Sequence, residues 1–152
     1  MAAFPHVLIS SHGTPGSQAA EVAALALCGS RLSHLIVVPD LWRGMLGDDW
    51  LNNASTRAEY GKYVESELQR EIDVHVGRLR ALAAAAGIAY EFTVVLGKPT
   101  ERLLAYTRET APALVVTGAP RPRGVPGLRS RMHPERVIGA LTAPLLVIPY
   151  PR

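Results

Sequence analysis

The chain has 152 residues, 48% of them hydrophobic, which is one domain's worth of sequence with enough apolar material to bury a core. No apolar run approaches the roughly 18 residues needed to cross a bilayer, and the first six residues lack the charged and long apolar parts of a signal peptide, so a cytoplasmic protein with no membrane partner is expected. The net charge is +3 and Lys62 and Lys98 are the only lysines; a surplus of arginine favours anionic ligands, but charges alternating along helix faces do not predict a nucleic-acid partner.

In chain order, His6 to Ser11 reads as a first strand, followed by the turn His12-Gly13-Thr14-Pro15-Gly16. Ser17 is placed to cap a helix running from Ala19 to about Cys28. Cys28 has no second cysteine to pair with and no zinc-ligand spacing, so it is read as core filler. Leu32 to Pro39 is a second strand, apolar on successive residues and therefore buried on both faces. Asp40 to Ser55 breaks the pattern, with Trp42, Met45, Leu46 and Trp50 set among glycines and acids. Three readings fit this stretch: a mobile flap over a site, a dimer contact, or a local mini-core.

Thr56 and Glu59 form a capping pair ahead of a long helix in which Val64, Leu68, Ile72, Val76, Leu79 and Ala83 recur at helical spacing, with Gly87 ending it. Tyr90 to Leu96 is a third strand, and Gly97-Lys98-Pro99-Thr100 leads into a helix carrying Leu103, Leu104 and Tyr106. Leu114 to Thr117 is a fourth strand, and the Pro/Arg/Gly-rich segment from Gly118 to Arg131 precedes a helix starting near Pro134. Pro144 to Pro149 closes the series as a fifth strand. His34 and His75 fall among apolar residues and read as structural, and His133 stands beside the start of the last helix.

Strands alternating with helices predict an α/β fold: a single-domain, doubly wound open sheet of five parallel strands in the order 3-2-1-4-5, with helices on both faces. Ligands of such sheets bind beyond the carboxyl ends of the strands, between strands one and four. His12-Gly13-Thr14 and Gly118-Ala119-Pro120 flank that point.

The segment ALVVTGAPRPRGVPGLRSRMHPERVIGALTAPLLVI resembles the universal stress protein (UspA-like) family, through the Leu114 to Gly118 strand end, Glu135-Arg136-Val137 and Ala143 to Ile148. The resemblance implies one universal stress protein domain over residues 1–152, and a stress-response binding and signalling module rather than an enzyme. It also implies a homodimer paired through the C-terminal strand, an unknown protein partner, and ATP or AMP as ligand. Nucleotide binders of the family carry Gly, two residues, Gly, nine residues, Gly, then Ser or Thr. Here Gly118 fills the first position, but Arg121, Arg131 and Met132 fill the others, and His12 stands where those binders have an acid for the ribose. The nucleotide-binding motif is thus degenerate.

The candidate ligand-binding residues, for a nucleotide or another phosphate-containing anion, are His12, Gly13, Val38, Gly118, Arg121, Arg123, Arg129, Arg131 and Met132. Four arginines within eleven residues can replace a glycine loop by charge-assisted hydrogen bonds to phosphate. No nucleophile, carboxylate pair or metal-ligand set is visible, so neither catalysis nor a metal is expected. A flavodoxin-like carrier is the other reading, from the hydroxyl-rich Ser10 to Ser17 stretch. It lacks an aromatic beside Gly97-Lys98-Pro99 to stack on a flavin.

Overall fold

The computed structural model describes residues 3–11, 15–38, 54–125 and 132–151, the side chains of Pro15 and of residues 54–68 excepted. Its elements in chain order are β1 (Phe4–Ser10), α1 (Pro15–Leu27), β2 (Cys28–Val38), α2 (Ala54–Ala85), β3 (Ala89–Leu96), α3 (Pro99–Thr110), β4 (Leu114–Gly118), α4 (Pro134–Ala140) and β5 (Leu145–Ile148). The strands form one parallel sheet in the order β3-β2-β1-β4-β5. The expected topology is the observed one.

Alternation within the central strands builds two cores. Val7 and Ile9 of β1, Leu32 of β2 and Val116 of β4 pack with Ala20 and Ala24 of α1 and Leu79 and Ala83 of α2. Leu8, Leu35, Val37 and Val115 point the other way, onto Leu103 of α3 and Val137 of α4. Val7, Leu8 and Ile9 are all fully buried, as an apolar run covered on both faces must be. Each such side chain contributes about 1.5–3 kcal/mol through its burial.

Strand ends shift by one or two residues from the sequence reading, β1 running from Phe4 to Ser10, and three further ends differ for a physical reason. α1 begins at Pro15, so Ser17 sits in its first turn instead of capping it; the fixed φ of proline suits the first helical position. Cys28 opens β2 instead of ending α1, because it pairs with Phe4 at the start of β1. It is buried, and its thiol donates to the Arg31 carbonyl at 3.1 Å. α2 starts at Ala54, ahead of the Thr56 cap. The Asp40 to Ser55 stretch, with Trp42, Met45, Leu46 and Trp50, otherwise falls on residues 39–53, outside the described ones.

Gly87, at φ +71°, closes α2 as expected: the Ile88 amide reaches back to Ala83 O at 2.9 Å and the Gly87 amide to Ala84 O at 3.1 Å. α3 ends without a glycine. Ala111 takes the left-handed conformation at φ 45° so that its amide can cap Thr107 O at 2.9 Å. An L-residue with a Cβ is strained there by roughly 1–2 kcal/mol. Ala111→Gly is therefore expected to raise stability by about 1 kcal/mol, part of the relief being offset by the freedom glycine gains in the unfolded chain. Thermal unfolding of the two proteins measures it, and an unchanged or lower midpoint would show that Ala111 carries no strain.

Candidate functional site

The chain leaves β1 toward one face of the sheet and leaves β4 toward the other. The carboxyl ends of these adjacent strands therefore part, and a cleft opens there. Ser10 of β1, Ser17 of α1, Thr117 and Gly118 of β4, Arg121 and Tyr150 all line it. The cavity is about 60 Å³, small beside the roughly 300–1,000 Å³ of ordinary small-molecule pockets. Among the described residues it has room for a group the size of a phosphate.

Packing of α1 on β4 shapes the cleft floor. A Cβ on Gly118 would lie 2.4 Å from Gly16 O and 3.1 Å from Ser17 N, and one on Gly16 would lie 3.2 Å from Ala119 O and from the Tyr150 ring. The two glycines thus let the first turn of α1 rest directly on the end of β4. Gly118, the glycine that fills the first position of the resembled motif, is demanded by this contact whether or not a ligand is present. Above it the Arg121 guanidinium lies 5.8 Å from the centroid of the Tyr150 ring, within cation–π range.

Gly118, Arg121 and Met132 are brought together, all three lining the cleft. Met132, in the family's hydroxyl position, packs on the α3/α4 core, where the Thr100 hydroxyl donates to its sulfur at 3.6 Å and accepts the His133 amide at 2.8 Å. Val38 ends β2, half-buried and away from the cleft, and Arg123 is exposed and outside its lining. His12, Gly13, Arg129 and Arg131 lie outside the described residues. The sequence reading missed Ser17 and Tyr150 as lining residues. Ser17 falls in the turn region it had marked; Tyr150 carries no signal in the sequence.

A second polar constellation lies beneath the end of β1, between the sheet and helices α1 and α2. His34 and His75, read as structural from the sequence, are both buried there, with polar partners that the apolar neighbours along the chain did not show. Glu21 of α1, 1% exposed, accepts the Ser11 hydroxyl at 2.5 Å and Arg78 of α2 at 2.6 Å. His75 Nε2 lies 2.8 Å from Ser11 Oγ and 3.0 Å from Glu21 Oε1, while its Nδ1 lies 3.0 Å from Arg78. His34 Nε2 faces the Ser11 carbonyl at 3.1 Å, and its Nδ1 meets the Tyr90 hydroxyl at 2.7 Å. Burial pushes the Tyr90 phenol up, so it stays protonated and can donate. Helical spacing of His75 with Val76 and Leu79 concealed the network, because its partners come from four other elements.

Ser, His and Glu in contact resemble a nucleophile with its relay, but the protons run the wrong way. A guanidinium only donates, so Arg78 makes His75 Nδ1 an acceptor and leaves the ring proton on Nε2. That nitrogen cannot also take the Ser11 proton, which goes to Glu21. Ser11 is moreover fully buried. Among the described residues no group of three or more His, Cys, Asp or Glu is placed to hold a metal ion.

The fold and cleft define a doubly wound α/β protein with its ligand position at the strand switch point. Residues 5–149 match the model of the universal stress protein family, and the chain belongs to that family. Similar solved structures include a universal stress protein family member from Burkholderia pseudomallei, at 22% identity and TM-score 0.67, covering 96% of each chain. UspA from Lactobacillus plantarum aligns at 16% identity and TM-score 0.69, over 97% of this chain and 99% of that one. A universal stress protein family protein from Arabidopsis thaliana with AMP bound aligns at 12% identity and TM-score 0.64, over 96% of this chain and 92% of that one. No curated protein matches at a significant level.

Two substitutions test the geometry. Gly118→Ala should destabilise the protein in the absence of any ligand by about 1–3 kcal/mol, the usual cost of overpacking; denaturant unfolding without an effect would remove the packing role. Glu21 gives the second. Its burial opposes ionisation, yet hydrogen bonds from His75 and Ser11, with smaller contributions from the charge of His75 and Arg78, outweigh that and hold its carboxyl below the usual range. A carboxyl lowered in this way stabilises the fold above the pH where a free glutamate titrates, about 4.3, and the contribution fades as pH falls through Glu21's own, lower titration. Glu21→Gln should therefore cost about 2–3 kcal/mol near pH 7, where charged hydrogen bonds are lost, and the difference from wild type should shrink toward pH 3. Urea unfolding at both pH values reads it, and a constant difference would contradict the argument.

Proposed function

We propose that this universal stress protein works as a binding module that takes a phosphate-bearing anion at the carboxyl end of the sheet, through arginine side chains in place of the family's glycine loop. The carrying observation is Arg121 in the lining of the phosphate-sized cleft, at the position of the family's second glycine. A guanidinium offers paired donors to phosphate oxygens. That the similar Arabidopsis protein has AMP bound supports a nucleotide-type ligand at this fold. Met132, turned into the core, leaves no hydroxyl at the family's last position, and His12 stands in place of the ribose acid. ATP binding is therefore weak and poorly selective for adenosine, with a dissociation constant near or above millimolar, about −4 kcal/mol or weaker. Ser11, whose proton is committed to Glu21, supports action by binding without chemistry. No helix among the described residues is long and apolar enough to cross a membrane, and the chain acts in the cytoplasm.

The functional unit is a homodimer paired through β5. That strand is a sheet edge, with β4 on one side only. Val147 on it and Ile138 on α4 are 42% and 67% exposed, and an apolar edge invites pairing.

Titration calorimetry with pyrophosphate and with ATP tests the site. Wild type should bind both with similar affinity, and Arg121→Ala should weaken pyrophosphate about tenfold or more, as loss of one charged hydrogen bond of about 1.5–3 kcal/mol requires. Tight, adenosine-selective binding of ATP would overturn the reading. Light scattering tests the assembly: wild type should be a dimer at micromolar concentration and Val147→Asp a monomer.

A further inference from the structure

Two hydroxyls in the cleft have a place that packing does not account for. Ser10 ends β1, and Thr117 of β4 is its partner in register. Leu8 and Val115, two residues earlier on the same strands, pack on Leu103 of α3 and Val137 of α4. A strand returns to the same face every second residue, so Ser10 and Thr117 stand on that face too. Both line the cleft together with Leu103 and Val137. Ser10 is only 4% exposed, and among the described residues neither hydroxyl has a hydrogen-bond partner.

A buried hydroxyl without a partner weakens a fold, and alanine and valine would fill these two positions without that cost. Neighbouring strands lie about 4.8 Å apart, and hydroxyls hydrogen-bond over about 2.7–2.8 Å. One oxygen seated over the strand pair can therefore accept from both hydroxyls at once. The space beside them is about 60 Å³, and Leu103, Val137 and Leu145 around it offer an ion nothing polar. Arg121, half-buried in the same lining, meets the charge. The innermost oxygen is left to the hydroxyls.

We infer that Ser10 and Thr117 form a hydroxyl clip for the innermost oxygen of the bound anion, and that the ligand presents a terminal phosphate group, as a phosphomonoester, a polyphosphate end or free phosphate does. The inference rests on the anion-binding reading above and adds to it two contacts and a class of ligand. A terminal phosphate carries at most one substituent, which leaves through the mouth of the cleft while its free oxygens turn inward. A phosphodiester carries two. In a cleft with room for one phosphate group, one of them would be driven against the apolar wall, with its ester oxygen in place of the free one that the hydroxyls need.

Titration calorimetry with pyrophosphate on wild type, Ser10→Ala, Thr117→Val and Thr117→Ser tests the clip, alongside thermal unfolding of each protein without ligand. Ser10→Ala and Thr117→Val should each weaken pyrophosphate about tenfold or more, as loss of a hydrogen bond to a charged group requires, while Thr117→Ser binds as wild type does. Neither hydroxyl has a partner within the described protein, so neither loss should lower the unfolding midpoint. Methyl phosphate and orthophosphate should both bind wild type, the tighter of the two telling whether an ester or the free ion is the source, and dimethyl phosphate should not bind. Full affinity in Ser10→Ala and Thr117→Val, with Arg121→Ala still weakened, would overturn the clip and leave the arginine site standing. A wild type that binds none of these anions would remove both. A lowered midpoint in either variant would assign the hydroxyls to the fold, and dimethyl phosphate bound as tightly as methyl phosphate would overturn the class of ligand.

Discussion

A carboxylate at 1% exposure organises one face of this protein. Burying an ionised glutamate without partners costs several kcal/mol, and leaving out any one partner exposes that cost. Glu21 therefore requires a serine at the end of β1 and an arginine and a histidine one turn apart on α2, all reaching one point. His34 and Tyr90 extend the requirement to β2 and β3. The apolar contacts of Leu79 and Ala83 would hold α2 against the sheet in several rotations and slides. Directional bonds to Glu21 select one of them, and so fix where α1, α2 and the end of β1 stand relative to one another.

The ligand cleft depends on the same helix by its other end. α1 carries Glu21 in its middle turns and Gly16 in its first, and Gly16 rests on Gly118 with no side chain between them. Seating α1 on Glu21 thus also sets the floor of the cleft. Gly118, the motif glycine this chain carries, is the one that this packing demands. Arg121 brings charge into the cleft, and Met132 fills core space against Thr100 and α4. Tyr150 completes the wall, its ring touching the α1 glycine and carrying Arg121.

The opposite end of the sheet carries a second polar chain. His6 lies 2.7 Å from Ser33 Oγ, whose hydroxyl donates to Glu91 at 2.8 Å, and Glu91 pairs with Arg31. Hydrogen bonds from Arg31 and Ser33 hold the Glu91 carboxyl low, and burial with the charge of Arg31 lowers His6. Half-exposed, this ion pair adds little to stability. It satisfies polar side chains that the pleat turns toward the α3/α4 face at the amino ends of three strands.

Strand and helix order, the parallel sheet and both faces of the core were legible in the sequence, because they rest on local properties. Runs such as Leu35-Ile36-Val37 must be covered on both sides, and the spacing of Val76, Leu79 and Ala83 admits one helical face. The place of the cleft followed from topology alone, and Gly118, Arg121 and Met132 were picked out by the resemblance to the family's glycine motif. His34 and His75 were visible as residues but not as partners. Their meaning depends on Ser11 and Glu21, separated from His75 by 64 and 54 residues and from each other by ten, and no periodicity records such a meeting. Tyr150 and Gly16 likewise acquire a role only when β5 and α1 close on the end of β4. What the sequence determined by itself was every feature set by neighbours along the chain. Proton placement, the histidine tautomer and the close glycine contact were decided by the tertiary structure, since each is fixed by groups that only folding brings into contact.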